Sequence, residues 1–360
     1  MRLSTLLLFA VAAAAFAADP IPLSLKRAVE IATSPEGNTN VQLSGEAAKQ
    51  AEARSAQARA ALLPDLNASL AERDQTVNLA AMGIKINVPI PGFEFPRLVG
   101  PFTTMDARLS VADSVLDLAS FRRFQASKSG VAAARAEITN VDNAVAGQVA
   151  RAYLAAVKAD TDLETAEANI TLAQAVLKQA EDQKAAGTGT GIEITRAKVQ
   201  LADDEQRRLQ AANNRRAARL RLLRAMGMRL DTEVQLTDRL EFKAVDAVTL
   251  DAARAQALKD RPDLKAQQER EHTAQLSTSA TKLERLPTLQ AFADYGSIGS
   301  GFDSALPTRT YGVQLKLPLF DGGRRSARIA ESASQYRSER RGPTISRSRS
   351  SSTCGWRSTS

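Results

Sequence analysis

An apolar heptad repeat within a proline-free stretch, from Leu118 to Met228, constrains this chain more than any other feature. Larger apolar residues recur in it at seven-residue spacing in two sets, first Ile138 and Val145 and then Leu163, Ile170 and Leu177. Ala166, Ala173 and Ala180 recur at the same spacing. Such a repeat keeps an apolar stripe on one side of a helix and favours a left-handed supercoil with a second helix. A helix of about 70 residues would be about 100 Å long. We therefore predict a long coiled-coil hairpin over residues 118–228.

The turn of this hairpin is predicted near the middle of a glycine-rich segment. Gly187, Gly189 and Gly191 occupy alternate positions, where they end the first helix and permit a positive φ. Thr190 and Glu193 have the spacing of a capping box at the start of the second helix. A phosphate-binding loop needs a preceding strand and a lysine after its last glycine, and this segment has neither. The pattern indicates an interhelical turn rather than a nucleotide site.

Composition excludes several classes of functional site. The chain has one histidine, one cysteine and 4% aromatic residues, which excludes disulfide frameworks and Cys/His metal sites within it. His272 lies in a polar helical stretch and is predicted to be a solvated surface residue. With no nucleophile–base pair evident, we predict no enzyme activity, no cofactor and no metal. Half of the net charge of +8 comes from residues 338–360, which argues against binding to nucleic acid.

The N-terminal residues 1–18 have the pattern of a secretory signal peptide. Arg2 precedes an apolar run, and Ala15 and Ala17 give the small-x-small cleavage pattern. The run is too short to cross a bilayer about 30 Å thick as a helix. We expect the mature protein to be located outside the cytoplasm.

Two pairs of strands are predicted outside the hairpin. Apolar and polar residues alternate after Leu63–Pro64 and after Leu286–Pro287, and alternate again beyond a loop rich in glycine and proline. The predicted strands are at about 64–74, 106–116, 287–296 and 309–320. A long loop separates the first pair, and a shorter one from Gly296 to Pro307 separates the second. A helix precedes and follows each pair, so the same order occurs twice, as in an internal repeat.

This repeat defines the predicted domain organisation. The segments are a signal peptide at 1–18, a first repeat at 19–230, a linker at 231–248, an incomplete second repeat at 249–337 and a tail at 338–360. The tail contains eight serines and five arginines, and the helical periodicity is lost near Arg337. We interpret it as an aberrant disordered tail, which is either a Ser/Arg-rich segment in its own right or, as we favour, the product of a change of reading frame.

The order of these features resembles the TolC family of bacterial outer-membrane efflux proteins. The resemblance rests on the signal peptide, the doubled helix–strand–strand–helix unit and the segment Leu317–Gly323 at the exit of the last predicted strand. The turn is similar to the family's periplasmic tip, with Glu193–Ile194 in place of a frequent aspartate–valine pair. The fold this implies is mostly α with membrane β. The long coiled-coil hairpin forms a periplasmic tunnel, and each protomer gives four strands to a trimeric twelve-stranded outer-membrane β-barrel.

The resemblance also implies a function and partners. The protein would be the outer-membrane channel of a tripartite efflux pump or a type I secretion system, acting as a passive duct. Its partners would be two identical protomers, a periplasmic adaptor, an inner-membrane pump and outer-membrane lipid. The expected adaptor-contacting residues are Lys184, Gly187, Thr188, Gly189, Gly191, Glu193, Ile194 and Arg196, and the expected lipid-facing residues are Leu109, Val111, Leu315 and Leu317. A periplasmic adaptor and a purely structural coiled coil are the alternatives, since both contain long helices.

Overall fold

The computed structural model describes residues 21–83, 96–241 and 249–356, without the side chains of residues 250 and 343–356. The predicted signal peptide lies outside these described residues. In chain order the elements are β1 (Ile21–Leu23), α1 (Leu25–Thr33), α2 (Thr39–Ala60), β2 (Asp65–Asn78), β3 (Leu98–Leu116), α3 (Leu118–Ala185), α4 (Gly191–Met226), β4 (Val234–Leu236), α5 (Leu250–Asp260), α6 (Pro262–Leu283), β5 (Thr288–Gly299), β6 (Leu306–Lys316) and α7 (Arg324–Trp356).

The described residues form two compact units. The first contains residues 21–46 and 138–241, and the second contains residues 47–83, 96–137 and 249–356. This division does not follow the two predicted repeats, because strands from both repeats pair with one another in the second unit.

The paired helices of the first unit confirm the predicted hairpin. Within the heptad stripe of α3, Leu163, Ala166, Ala173 and Ala180 are buried. The carboxylate of Asp160 bonds to Arg215 at 2.7 Å, whereas Glu167, further along α3, lies 3.7 Å from Arg208, which is earlier in α4. This reversed order shows that the two helices run antiparallel. The alanines of the stripe leave room for the close approach that the heptad pattern indicates.

A buried tyrosine anchors the end of the first unit opposite to the turn. The hydroxyl of Tyr153 donates to the carbonyl of Leu23 at 2.8 Å and accepts the amide hydrogen of Asp238. Burial is the main cause that raises the pKa of Tyr153. β1 and β4 pair in parallel beside it, with Leu23 opposite Leu236. The predicted linker at 231–248 therefore contains a strand, and its residues 242–248 lie outside the described ranges.

The second unit contains an antiparallel sheet in the order β2-β3-β5-β6. All four predicted strands are present, but their ends differ from the prediction. β3 begins at Leu98 rather than near 106, because the ladder with β2 continues past Gly100–Pro101 through a shift of register between Gln75 and Val77. Pairing of backbone groups does not require the apolar alternation from which the strand was predicted.

β6 ends earlier than predicted, just before one of the residues expected to face lipid. β6 ends at Lys316, which pairs with Thr288, so Leu317 lies beyond the strand rather than within it. The residue that would pair with Leu317 is Pro287, which has no amide hydrogen to donate. At the other end of β6, Pro307 is tolerated within the strand, since β6 is an edge strand of the described sheet.

α6 packs against α7, and this contact extends into the segment predicted to be a disordered tail. Gln267 donates to the carboxylate of Glu339 at 2.8 Å, and Thr278 donates to the carbonyl of Ser332 at 3.0 Å. The predicted disorder from 338 is therefore wrong, since α7 continues to Trp356. Once a helix is nucleated, each added residue other than proline contributes a hydrogen bond, and serine and arginine oppose its extension only weakly. Gly342 and Pro343 oppose it more, and Pro343 removes one hydrogen bond of α7.

The only histidine of the chain lies in α6. His272 is exposed, as predicted, but its Nδ1 lies 3.2 Å from the hydroxyl of Ser129 on α3. The same hydroxyl donates to the carboxylate of Glu269 at 2.8 Å. His272 therefore belongs to a hydrogen-bonded helix contact rather than to solvent alone.

An aspartate caps the helix that leaves each strand pair. Asp117 accepts hydrogen bonds from the amide of Ser120 at 3.0 Å and from its hydroxyl at 2.6 Å. Asp321 accepts from the amide of Arg325 at 3.0 Å. Burial opposes the ionisation of Asp117, but the hydrogen bonds from Ser120 and Ala119 and the charge of Arg123 outweigh it, so the pKa of Asp117 is lowered.

We expect Asp117→Ala to lower the free energy of unfolding by about 1 kcal/mol at neutral pH, as for other N-caps. Because the folded pKa of Asp117 lies below its unfolded value, this contribution is present above the unfolded pKa and is lost as the pH falls through the folded pKa. Chemical unfolding followed by circular dichroism at several pH values measures the difference between the variant and the wild type. A difference that stays constant into strongly acidic solution would contradict the assignment.

Candidate functional site

The turn between α3 and α4 is closed by its own backbone. The carbonyl of Gln183 accepts the amides of Thr188 at 2.9 Å and Gly189 at 3.0 Å, and the carbonyl of Lys184 accepts the amide of Gly187 at 3.0 Å. Gly187 has φ +76°, and a Cβ added there would meet nothing within 4 Å. Backbone conformation, not lack of space, therefore calls for glycine at this position. Gly189 differs, because an added Cβ would lie 3.0 Å from the backbone nitrogen of Lys184.

The first turn of α4 uses one of the residues predicted to contact a partner. The amide of Thr190 donates to the carboxylate of Glu193 at 2.9 Å, which is one half of the predicted capping box. Glu193 therefore holds the start of the helix, and its charge is placed at the helix N-terminus, where a carboxylate is favourable.

The tip residues differ in exposure. Those that are exposed are Lys184, Gly187, Thr188, Gly191, Glu193 and Arg196, whereas Gly189 and Ile194 are half-buried. Ile194 lies three residues before the buried Ala197 and so belongs to the apolar stripe of the hairpin. The neighbouring Ile192 is 65% exposed and was missed by the sequence reasoning. Its position off the stripe is the signal that could have identified it.

A groove runs along the hairpin near its tip. Its volume is about 360 Å³, and it is lined by Asn169, Leu172, Ala173, Val176, Ala197, Gln200, Asp204 and Arg207. Leu172 and Val176 are exposed, whereas Asp204 is buried and accepts hydrogen bonds from Gln200 at 2.9 Å and Arg207 at 3.3 Å. The groove thus offers apolar side chains beside a charge pair. Asp204 was also missed, although a carboxylate at a stripe position of α4 could have indicated it.

The sheet of the second unit has one apolar face. Its register places Ala68, Leu109, Tyr295 and Arg309 in one row across the four strands, and Leu66, Val111, Ala293 and Tyr311 in the next row. Arg309, on the edge strand β6, is the charged member of these two rows. Leu315 lies on the same face through its pairing with Leu289, which pairs with Leu116. Three of the predicted lipid-facing residues, Leu109, Val111 and Leu315, therefore share a face. Leu109 and Leu315 are exposed and Val111 is half-buried.

The opposite face of the sheet is polar. Arg108 forms ion pairs with Asp294 and Asp106, the latter at 3.3 Å, and lies 3.3 Å from the hydroxyl of Thr308. These residues come from β3, β5 and β6, so the ion pairs cross three strands. β2 and β6 are each paired on one side only within the described sheet. The sheet thus has two different faces and two open edges.

The described ranges contain neither a metal-ligating cluster nor a helix suited to cross a membrane. No three or more His, Cys, Asp and Glu side chains there are grouped so that they could hold a metal ion. None of the helices in those ranges combines the length and the apolar character needed to cross a membrane.

Comparisons with known proteins find a family model that matches one segment of the chain, two curated relatives and a solved structure with a similar fold. Residues 253–342 match the model of the family described as outer membrane efflux protein. Alkaline protease secretion protein AprF of Pseudomonas aeruginosa is 25% identical over 223 residues, which are 60% of this chain and 46% of AprF. Pyoverdine export outer membrane protein OpmQ of Pseudomonas putida is 29% identical over 320 residues, which are 83% of this chain and 62% of OpmQ. The chain thus spans between about half and three-fifths of the length of these curated relatives.

A solved structure shares the fold. The Campylobacter jejuni CmeC outer membrane channel matches with a TM-score of 0.74 at 16% identity, covering 89% of this chain and 67% of CmeC. At that identity the match shows the fold alone. The fold, mostly helical with a sheet, agrees with the architecture expected from the sequence.

The turn geometry predicts opposite effects for two glycines. Gly187→Ala should destabilise the protein by about 1–2 kcal/mol, because alanine must adopt a left-handed conformation. Gly191→Ala, at the first residue of α4, should stabilise it by up to about 1 kcal/mol, because alanine is the better helix former and its Cβ would meet only the Nζ of Lys184 at 3.8 Å. Thermal unfolding of both variants provides the measurement. Losses of similar size at both positions would show that the turn is not built as described.

Proposed function

We propose that this chain, whose residues 253–342 match the model of the family described as outer membrane efflux protein, is the outer-membrane channel of an efflux pump or a type I secretion system. It acts in this proposal as a passive duct and not as an enzyme. The observation that carries the proposal is a sheet with one apolar and one polar face, in a chain that also contains a long helical hairpin. The names of AprF and OpmQ, which refer to secretion and export, support it.

The dimensions of the sheet suit a membrane barrel. Its strands have 14, 19, 12 and 11 residues, and a tilted strand of about 9–11 residues is sufficient to cross a bilayer. In such a barrel the apolar face contacts lipid and the polar face lines the lumen. The unpaired edges of β2 and β6 require partner strands, since no water is available in the bilayer to satisfy their backbone groups. Three copies of the sheet would close a twelve-stranded barrel.

Two alternatives from the sequence are less consistent with these observations. A periplasmic adaptor and a structural coiled coil both account for the hairpin. Neither requires four strands of membrane-crossing length with an apolar face that includes exposed Leu66, Leu109 and Tyr311. Burying this face in lipid removes the cost of leaving it in water.

The channel proposal is tested by conductance and by a matched pair of variants. Wild-type protein, extracted from the outer membrane and added to a planar bilayer, should form conducting pores. Leu109→Lys places a charge on the apolar face near the middle of the strands and should cost about 2–4 kcal/mol per copy, reducing the assembled protein recovered. Ser110→Lys faces the polar side and should assemble and conduct. We choose Leu109 over Leu315 because Leu315 lies one residue from the end of β6, where a charge costs less.

Two results would count against these assignments. Wild-type protein that is folded but does not conduct would refute the channel. Equal losses of assembly in Leu109→Lys and Ser110→Lys would refute the assigned faces of the sheet.

The hairpin tip is the proposed contact with a periplasmic adaptor that links the channel to an inner-membrane pump. Exposed Ile192 provides apolar surface there, and Lys184 and Arg196 provide charge that is exposed at the turn. Because Glu193 caps α4, we assign it to the structure of the tip rather than to its partner.

Reversing the charge of Arg196 separates docking from conduction. Arg196→Glu should weaken binding of the adaptor by about 1 kcal/mol, which is the energy of an exposed ion pair. Less adaptor should then be crosslinked to the tip, and export should fall. Pore conductance in a bilayer should not change, because the substitution leaves the sheet intact. Arg216→Glu, on the same helix and also exposed, is the control. If both variants lose crosslinking equally, general charge and not the tip governs the contact.

A further inference from the structure

A groove between α2 and α3 lies close in sequence to the strands of the second unit. It has a volume of about 730 Å³ and is lined by Glu52, Ser55, Ala56 and Arg59 of α2 and by Phe124, Lys128, Val131, Ala132 and Arg135 of α3. α2 runs towards the sheet, since β2 begins at Asp65, and α3 runs away from it, since β3 ends at Leu116. Arg59 and Phe124 are therefore at the end of the groove next to the strands, and Glu52 and Arg135 are at the other end.

The charges of the groove are not balanced. Three of its lining residues are cationic and one is a carboxylate. Glu52 pairs with Arg135 at 2.8 Å, at the end away from the strands. Within the described residues, Arg59 and Lys128 have no carboxylate partner, and the Nζ of Lys128 lies 5.6 Å from the centre of the Phe124 ring. The part of the groove nearer the strands thus presents two positive charges that an anion would neutralise.

The surroundings of these two cations are apolar. Ala56, Phe124, Val131 and Ala132 form the walls of the groove. Between the groove and the strands, Leu63 is 53% exposed and Phe121 is 47% exposed. A ligand that satisfies both features has an anionic group and apolar chains. Inorganic phosphate would neutralise the charges but leave the leucine and phenylalanine in water.

Arg59 and Lys128 lie close to the ends of the strands, at the depth expected for lipid headgroups. If the strands cross the bilayer as proposed, their ends lie at its surface. There each lysine or arginine near the lipid phosphates increases the binding constant by about fivefold. Arg59 is the penultimate residue of α2, one short turn before β2. The cations are thus placed for the leaflet on the side of the helices.

We propose that this groove binds an anionic phospholipid of the periplasmic leaflet, with its phosphate on Arg59 and Lys128 and its acyl chains towards Leu63 and Phe121. The inference rests on the proposed function, because it requires that the sheet lie in the membrane. A lipid bound there would tie the helices to the bilayer at the level where the strands end.

The test counts bound lipid on the full chain. Protein purified in a neutral detergent is titrated with phosphatidylglycerol or with phosphatidylcholine, and native mass spectrometry measures the lipid retained. Wild type should retain phosphatidylglycerol in preference. Arg59→Gln with Lys128→Gln should weaken this binding by about fivefold for each cation removed. The control is Arg54→Gln with Lys178→Gln, which makes the same change of charge on the same two helices but outside the groove. It should bind phosphatidylglycerol as the wild type does.

Three results would overturn the proposal. In the first, the wild type shows no preference for phosphatidylglycerol. In the second, the groove variant and the control variant bind the lipid equally. In the third, inorganic phosphate displaces the lipid at similar concentrations. Circular dichroism of the variants separates lost binding from lost folding, and Arg59→Lys should restore most of the binding. Conductance of the same preparation separates this inference from the proposed function. A conducting wild type without lipid preference would refute only the groove, whereas protein absent from the outer membrane would refute both.

Discussion

The backbone pairing of β3 with β5 is the interaction on which the second unit depends. It joins two strand pairs that are far apart in sequence, with Leu109 opposite Tyr295 and Val111 opposite Ala293. Without it, each pair would be an isolated hairpin, which is marginally stable in water. The same pairing fixes the register of all four strands, and the register alone decides that the apolar residues share a face. A slip by one residue would move Leu109 to the polar side beside the ion pairs of Arg108.

The parts of the fold that could be predicted are those whose apolar residues recur with a regular period in the sequence. The heptad spacing of Leu163, Ile170 and Leu177 predicted the hairpin, and the alternation around Leu109 predicted strands, because both patterns are imposed by burial on one side. Strand ends were predicted less well. The ladder past Gly100–Pro101 depends on backbone groups, and the end of β6 depends on the proline opposite Leu317. The prediction that the tail is disordered was wrong, because composition does not reveal that α7 packs on α6.

The surfaces were harder to predict than the fold. The glycine turn could be located because a positive φ favours glycine, yet exposure at the tip depended on position relative to the stripe, as Ile192 and Ile194 show. Glu193 fits a partner contact by its charge, but its carboxylate holds the amide of Thr190. The groove with Arg59 and Lys128 has no local signature, since its two sides are separated by the whole length of β2 and β3. Only the packing of α2 against α3 brings them together.

The open edges of β2 and β6 in the described sheet have a consequence for a single copy of the chain. A single copy of the described sheet has two rows of unpaired backbone groups beside exposed leucines and tyrosines, which is the kind of surface from which β-aggregates grow. Charged side chains on these strands, such as Arg73 and Asp74 on β2 and Arg309 and Lys316 on β6, act as gatekeepers against pairing with the wrong chain. In the channel proposed above, a single protomer would therefore be exposed to aggregation until neighbouring copies cover these edges.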